Sequence, residues 1–165
     1  MGYLISGYSQ KHTDISVEFQ AYPAGLIPGI SIDKSVSSRS DVYFRLAYNW
    51  IRHGDLGKHD DERGYGYGFS IGYKIFIKEN YKGFRFGIKN DVWRNSIDWM
   101  DSADSGNTKV TVIQPTLEIA YVITTKNIVI SPSIAFGYEA NVSTTGSPTG
   151  EGAILLLGAQ FGKRF

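Results

Sequence analysis

The stretch 65–77 limits what this chain can fold into more than any other feature. Tyr65, Tyr67, Phe69, Ile71, Tyr73, Ile75 and Ile77 occupy every second position, facing away from Gly66, Gly68, Ser70, Gly72 and Lys74. Period two puts all seven large side chains on one face of a β-strand, whereas a helix would scatter them around its axis. One face is therefore bulky and aromatic, and the other is small or charged.

The same alternation marks out eight segments in all. The first covers about 13–23, with Ile15, Val17, Phe19 and Ala21 in phase. The second, about 29–36, is short and carries Ile30, Ile32 and Val36. The third, 41–53, aligns Val42, Phe44, Leu46, Tyr48 and Trp50. After 65–77 comes a fifth, about 84–99, which begins Phe84, Phe86, Ile88 and loses phase near Asn90–Asp91, as either a bulge or a hairpin rising above the membrane would cause. The sixth (110–123), seventh (128–142) and eighth (153–165) follow, ending on Leu155, Leu157, Ala159, Phe161 and Phe165. Pro115 and Pro132 fall inside two of them. A proline cannot donate to a ladder, so each must sit where pairing is interrupted.

The connections carry a second signal. Beyond an ambiguous first pair (24–28 and 37–40), long polar stretches at 54–64, 101–109 and 143–152 alternate with compact turns at 78–83 and 124–127. Outer-membrane barrels have that parity, with short periplasmic turns, longer external loops and both termini inside. The expected fold is all-β: a closed eight-stranded antiparallel up-and-down transmembrane β-barrel over 13–165. Residues 1–12 form an N-terminal segment, and Gly7 and Ser9 before Gln10 are spaced like the remnant of a signal-peptide cleavage site.

Composition agrees. Lysine and arginine number 17 against 16 acidic residues, too balanced for a nucleic-acid-binding face. There is no cysteine, which removes disulfides and thiolate metal sites. Mean hydropathy is −0.19, and no run approaches the roughly 18 apolar residues of a spanning helix. A spanning strand hides its apolar residues at alternate positions, so an ordinary average is expected of it.

A soluble lipocalin-like carrier would show the same period with the faces reversed. The second face decides, because it carries Glu18, Asp33, Arg45, Lys74, Arg85, Lys89, Asp91, Glu118 and Glu139 among small residues suited to a crowded lumen. Rings also concentrate in two belts: Tyr48, Trp50, Tyr65 and Tyr67 near a long connection, and Phe84, Tyr121, Phe161 and Phe165 near the short turns. Aromatic girdles at both interfaces are a mark of membrane barrels. In strand count, connection parity and the C-terminal GAQFGKRF, ending on Phe165, the chain resembles the small eight-stranded outer-membrane proteins: the OmpA transmembrane domain, OmpX, Ail and neisserial surface protein A. Lys163 departs from the apolar face of that terminal strand.

The resemblance implies a bacterial outer-membrane location and a non-enzymatic structural or surface-contact role, with a monomeric barrel. Its partners would be outer-membrane lipids, lipopolysaccharide, and host, cell-surface or envelope proteins met through 54–64, 101–109 and 143–152. A lipid-modifying or proteolytic barrel enzyme, a narrow channel and the soluble carrier stand as alternatives. An enzyme needs a nucleophile, a base and an orienting acid near the rim. Only His12, His53 and His59 are available, without an adjacent serine in a recognisable arrangement, and Ser70 and Ser131 read as small lumen fillers. The run HGDLGKHDDER holds His53, His59, Asp60, Asp61 and Glu62 but fits no zinc or calcium spacing. The glycines of 64–72 lack the following helix that a phosphate loop requires. No catalytic, cofactor-binding or metal residue is assigned, and no cofactor is expected. The lumen charges are expected to pair into a plug, since unpaired buried charges cost several kcal/mol each.

Overall fold

A computed structural model describes residues 11–54 and 58–165. Eight antiparallel strands follow in order: β1 (Thr13–Tyr22), β2 (Gly25–Ser35), β3 (Ser40–Gly54), β4 (Asp61–Phe76), β5 (Gly83–Met100), β6 (Ser105–Thr125), β7 (Ile128–Thr145) and β8 (Gly152–Arg164). Each pairs with its sequence neighbour, and β1 pairs with β8 to close the barrel. The start of β1, the end of β8 and the β2–β3, β4–β5 and β6–β7 turns lie at one end, here the terminal end. The other is the loop end. The residues proposed as a signal remnant lie outside the described ones.

Alternation converts directly into an inside and an outside. Leu46, Ile71, Ile88, Leu117 and Phe136 are each more than half exposed on the outer wall, while Glu18, Arg45, Ser70, Asp91 and Ser131 are buried in the lumen. Both aromatic belts stand exposed on the outer wall as expected. This is the opposite sense to a soluble carrier, and large apolar side chains stand exposed on all eight strands, a contiguous surface of the kind that soluble monomers rarely expose.

The glycines of β4 are berths for the side chains of β5. Gly64, Gly66, Gly68 and Gly72 stand opposite Ile97, Asn95, Trp93 and Lys89. A Cβ on Gly68 would come within 2.5 Å of Trp93 Cε3, and one on Gly66 would strike Asn95 Oδ1. The large residues of β5 thus fill the lumen through the space that β4 leaves empty.

Three expectations change. The second strand starts at Gly25, after a two-residue turn, although Pro28 made 24–28 look like a connection. β5 has no bulge at Asn90–Asp91, for its register with β4 runs unbroken from Phe76↔Arg85 to Asp61↔Met100. The irregularity lies in β7, where Thr111 and Val112 of β6 pair with Ser143 and Asn141 and leave Val142 as the extra residue. The long connections also shorten, because β4 begins at Asp61, β6 at Ser105, and β7 runs to Thr145.

The prolines behave as required. In a sheet, a residue's N–H and C=O point to the same neighbour, so a proline weakens one ladder only. Pro115 keeps its pairing with Asn90 of β5, and the β6–β7 ladder skips from Ile113 to Thr116. Pro132 keeps Ala159 of β8, and the other ladder skips from Ser133 to Ile130. Pro28 likewise keeps Phe19 of β1 where β2–β3 has a gap.

Candidate functional site

The lumen is layered along the barrel axis. At the terminal end, two successive left-handed residues, Asn80 and Tyr81, turn the β4–β5 connection inward. Tyr81 packs there with Phe76, Val122 and Val129 as a small apolar plug and donates its hydroxyl to the Ser37 carbonyl. His12 lies edge-on to Tyr81 at 4.1 Å, with Nε2 3.6 Å from Asp14 and 3.8 Å from Asp41. Burial pushes the His12 imidazole below its ordinary pKa, against the opposing pull of Asp14. Arg164 makes a bidentate pair with Asp14 at 2.8 and 2.7 Å, joining the last strand to the first.

Above this plug sits the charge network. The fully buried Arg45 donates to Glu18 (2.8 Å), Gln20 (2.7 Å), Asp91 (2.8 Å) and Ser70 (3.0 Å). Glu18 also accepts from Tyr43 and Gln160, both at 2.8 Å. Lys74 lies 2.7 Å from Asp33 and over the Tyr43 ring. Arg85 reaches Glu118 at 3.2 Å and Gln160 at 2.9 Å, while Lys89 reaches Asp91 at 3.4 Å. The charges assigned to the lumen from sequence do meet there in pairs, except Glu139. Ser70 and Ser131 are more than fillers, because Ser70 bridges Arg45 to Asp91 and Ser131 accepts from Arg85. Tyr43, Gln20 and Gln160 are network members the sequence reading passed over, although each shares the lumen parity of its strand.

The network is roofed by an apolar layer. Trp93, Leu156, Ile27, Ala135 and Val112 are buried together there, and the Arg45 guanidinium lies 5.7 Å from the Trp93 ring. Above them the lumen opens into a cavity of about 290 Å³ at the loop end. Ile51, Ile97, Val110 and Ile154 form its apolar wall, and Asn49, Asn95 and Glu139 its polar groups. Tyr22 donates to Asn49 Oδ1 at 2.8 Å. Asn141 clamps the β7–β8 connection over one side by donating to the Thr149 and Gly150 carbonyls.

The histidines do not converge. The His53 side chain lies outside the described residues. His59 stacks on Trp99 with ring centroids 4.0 Å apart and contacts Asp101 through Nδ1 at 2.8 Å. Its Nε2 is buried without a hydrogen bond among the described residues, so no hydroxyl completes a triad with this dyad. Asp60 instead donates its amide to Asp101, and Ser102 bonds back to Asp60, so the contacts latch residues 58–60, just ahead of β4, to the 101–104 turn. The hydrogen bonds from His59 and the Asp60 amide hold the Asp101 carboxyl below the usual carboxylate range. No group of acidic or histidine side chains suited to a metal ion occurs among the described residues.

No protein-family model matches the sequence, and no curated protein matches it at a significant level. Solved structures do resemble it. The N-terminal β-barrel domain of Pseudomonas aeruginosa OprF superposes with a TM-score of 0.61 at 17% identity, covering 94% of this chain and 100% of that one. Ail of Yersinia pestis, crystallised with the heparin analogue sucrose octasulfate, gives 0.58 at 12% identity, covering 94% and 99%. A major outer membrane protein from Thermus thermophilus gives 0.50 at 11%, covering 94% and 99%. The fold is that of the small outer-membrane barrels the sequence resembles.

Proposed function

We propose that this chain is a bacterial outer-membrane barrel with a non-enzymatic structural and surface-contact role, the terminal end facing the periplasm and the loop end facing outward. The observation that carries this is the pairing of an exposed apolar girdle, bounded by aromatic belts, with a lumen filled by ion pairs. The girdle needs hydrocarbon, and the filled lumen leaves the loop end as the working surface. That surface is stiff, because β4 to β7 extend the sheet well into the stretches that read as loops and the latch at Asp101 ties two connections together.

Lipopolysaccharide is the partner best matched to the outer wall just above the loop-end belt. Arg52 and Arg63 stand directly opposite each other on β3 and β4, both exposed, in a groove that Trp50 and Tyr65 also line. Like charges directly opposite on a sheet repel; Arg63 is met by Asp61 at 2.9 Å and faces Asp98 of β5, which also lines the groove. A lipid phosphate bridging both guanidinia relieves the repulsion that remains. The sulfated sugar bound by Ail, a barrel of the same fold, is a polyanion as well.

Cell fractionation with a heat-shift gel tests the membrane assignment. The expected result is recovery in the outer-membrane fraction with mobility that changes on boiling. A chain that stays monodisperse in detergent-free buffer overturns it. For the partner, the Arg52→Ala, Arg63→Ala double variant should fold with an unchanged heat shift but lose its preference for lipopolysaccharide over neutral phospholipid vesicles. Equal preference in wild type and variant removes lipopolysaccharide from the reading.

A further inference from the structure

We propose that the loop-end cavity is a binding site for a small organic cation: an ammonium head on an apolar body about the size of one ring. Three observations converge on that ligand. The cavity is lined by Glu139 and Glu151 and, among the described residues, by no lysine or arginine. Glu139 points from the lumen face of β7 and has neither a hydrogen bond nor an ion pair among the described residues, whereas the other charges assigned to the lumen are paired. Asn95 is only 7% exposed, and its Oδ1 is buried without a hydrogen-bond partner. Asn95 lines the cavity, and its Oδ1 occupies the space that a side chain on Gly66 would fill.

A buried acceptor without a donor costs free energy, and so does a carboxylate in an apolar mouth without a counter-charge. A ligand that brings both the charge and the N–H donors satisfies the two together. Ile51, Ile97, Val110 and Ile154 supply the apolar contact for its body. The volume, about 290 Å³, is at the lower limit of ligand pockets and admits a single ring with its head group. The floor is sealed by Trp93 and Leu156, so the cation binds at a dead end and does not pass through.

The test titrates cyclohexylammonium into the full chain in neutral maltoside micelles, with cyclohexanol and cyclohexanecarboxylate as the uncharged and anionic counterparts. NMR follows the Asn95 side-chain amide and the Ile97 methyls. Saturable shifts are expected for the ammonium, at least about tenfold tighter than for the alcohol, with none for the carboxylate. Glu139→Gln should bring the ammonium down to the affinity of the alcohol, and Val110→Phe, which fills the cavity, should abolish both. A heat-shift gel establishes that each variant is folded, and Glu139→Gln suffices if the filled variant is not. Equal affinity for all three probes, no saturation, or undiminished ammonium binding in Glu139→Gln overturns the proposal.

Discussion

Arg45 shows how much a single side chain carries inside this barrel. It is the shared counter-ion of Glu18 and Asp91, each 2.8 Å away and each buried. Arg45→Met removes the guanidinium from both carboxylates, leaving Glu18 only its neutral donors Tyr43 and Gln160, and Asp91 the longer contact with Lys89 at 3.4 Å. Breaking a buried pair in this way costs about 3–5 kcal/mol, while losing an exposed surface charge costs within about 0.5 kcal/mol. Urea unfolding of the protein in lipid vesicles should therefore show a large loss for Arg45→Met and almost none for Lys109→Met, whose side chain is exposed on the outer wall. Gly68 is the small counterpart. A methyl there strikes the Val92 carbonyl of β5 as well as Trp93, which is 1% exposed and closely packed. Gly68→Ala should cost about 1–3 kcal/mol and shift the Trp93 indole resonance. An unmoved indole would mean that β4 had yielded instead.

At the scale of elements, the latch between residues 58–60 and the 101–104 turn carries a pH dependence whose sign follows from Asp101. Its carboxyl has a folded pKa below the ordinary 3.8, so the contribution is complete above that value and is lost as the pH falls through the folded pKa. NMR of the Trp99 indole should report a stacked His59 at neutral pH and release only in strong acid. Asp101→Asn should weaken the stack wherever the wild-type carboxyl is ionised, and a release already complete near pH 5 would contradict the assignment. The same region shows where the sequence stops being legible. β4 could be read from Tyr65 onward because its outer face is greasy from Tyr65 to Ile75, whereas its polar start at Asp61–Gly64 looked like loop. In β5 the parity never changes, but the chemistry does. Trp93 and Ile97 point inward, while Arg94 and Asp98 point outward beyond the aromatic belt. Alternation reports which face is more apolar, and past the belt the drier face is the inner one. That inversion made an unbroken strand look bulged and hid the apolar mouth of the lumen. The network was easier to foresee, because Glu18, Arg45 and Lys74 are charged side chains that alternate with the bulky apolar residues of their own strands. The start of β2 was lost for a different reason: Gly25 and Pro28 carry turn chemistry, yet Pro28 sits in a strand whose other ladder is intact.

For the molecule as a whole, closure of the ring is the step on which every other contact depends, and the seam is its weakest join. The β1–β8 ladder spans Asp14–Ala21 against Arg164–Leu157, whereas β5 and β6 pair along all of Gly83–Met100. Fewer hydrogen bonds hold the seam, and the lumen network crosses it through Gln160 to Glu18 at 2.8 Å and through Arg164 to Asp14. Opening there exposes the charge network to solvent from one side, so the seam sets the lowest free energy at which the lumen can be breached. Hydrogen exchange in lipid should accordingly be fastest in β1 and β8 among the membrane strands, and slowest in β5 and β6. Asp14→Ala removes the bidentate pair, worth about 1.5–3 kcal/mol for hydrogen bonds to charged groups. It should speed exchange at the seam by about tenfold or more while leaving β5 and β6 unchanged. Uniform acceleration around the ring would instead mean that the barrel opens as one unit and that the Arg164–Asp14 pair has no local role.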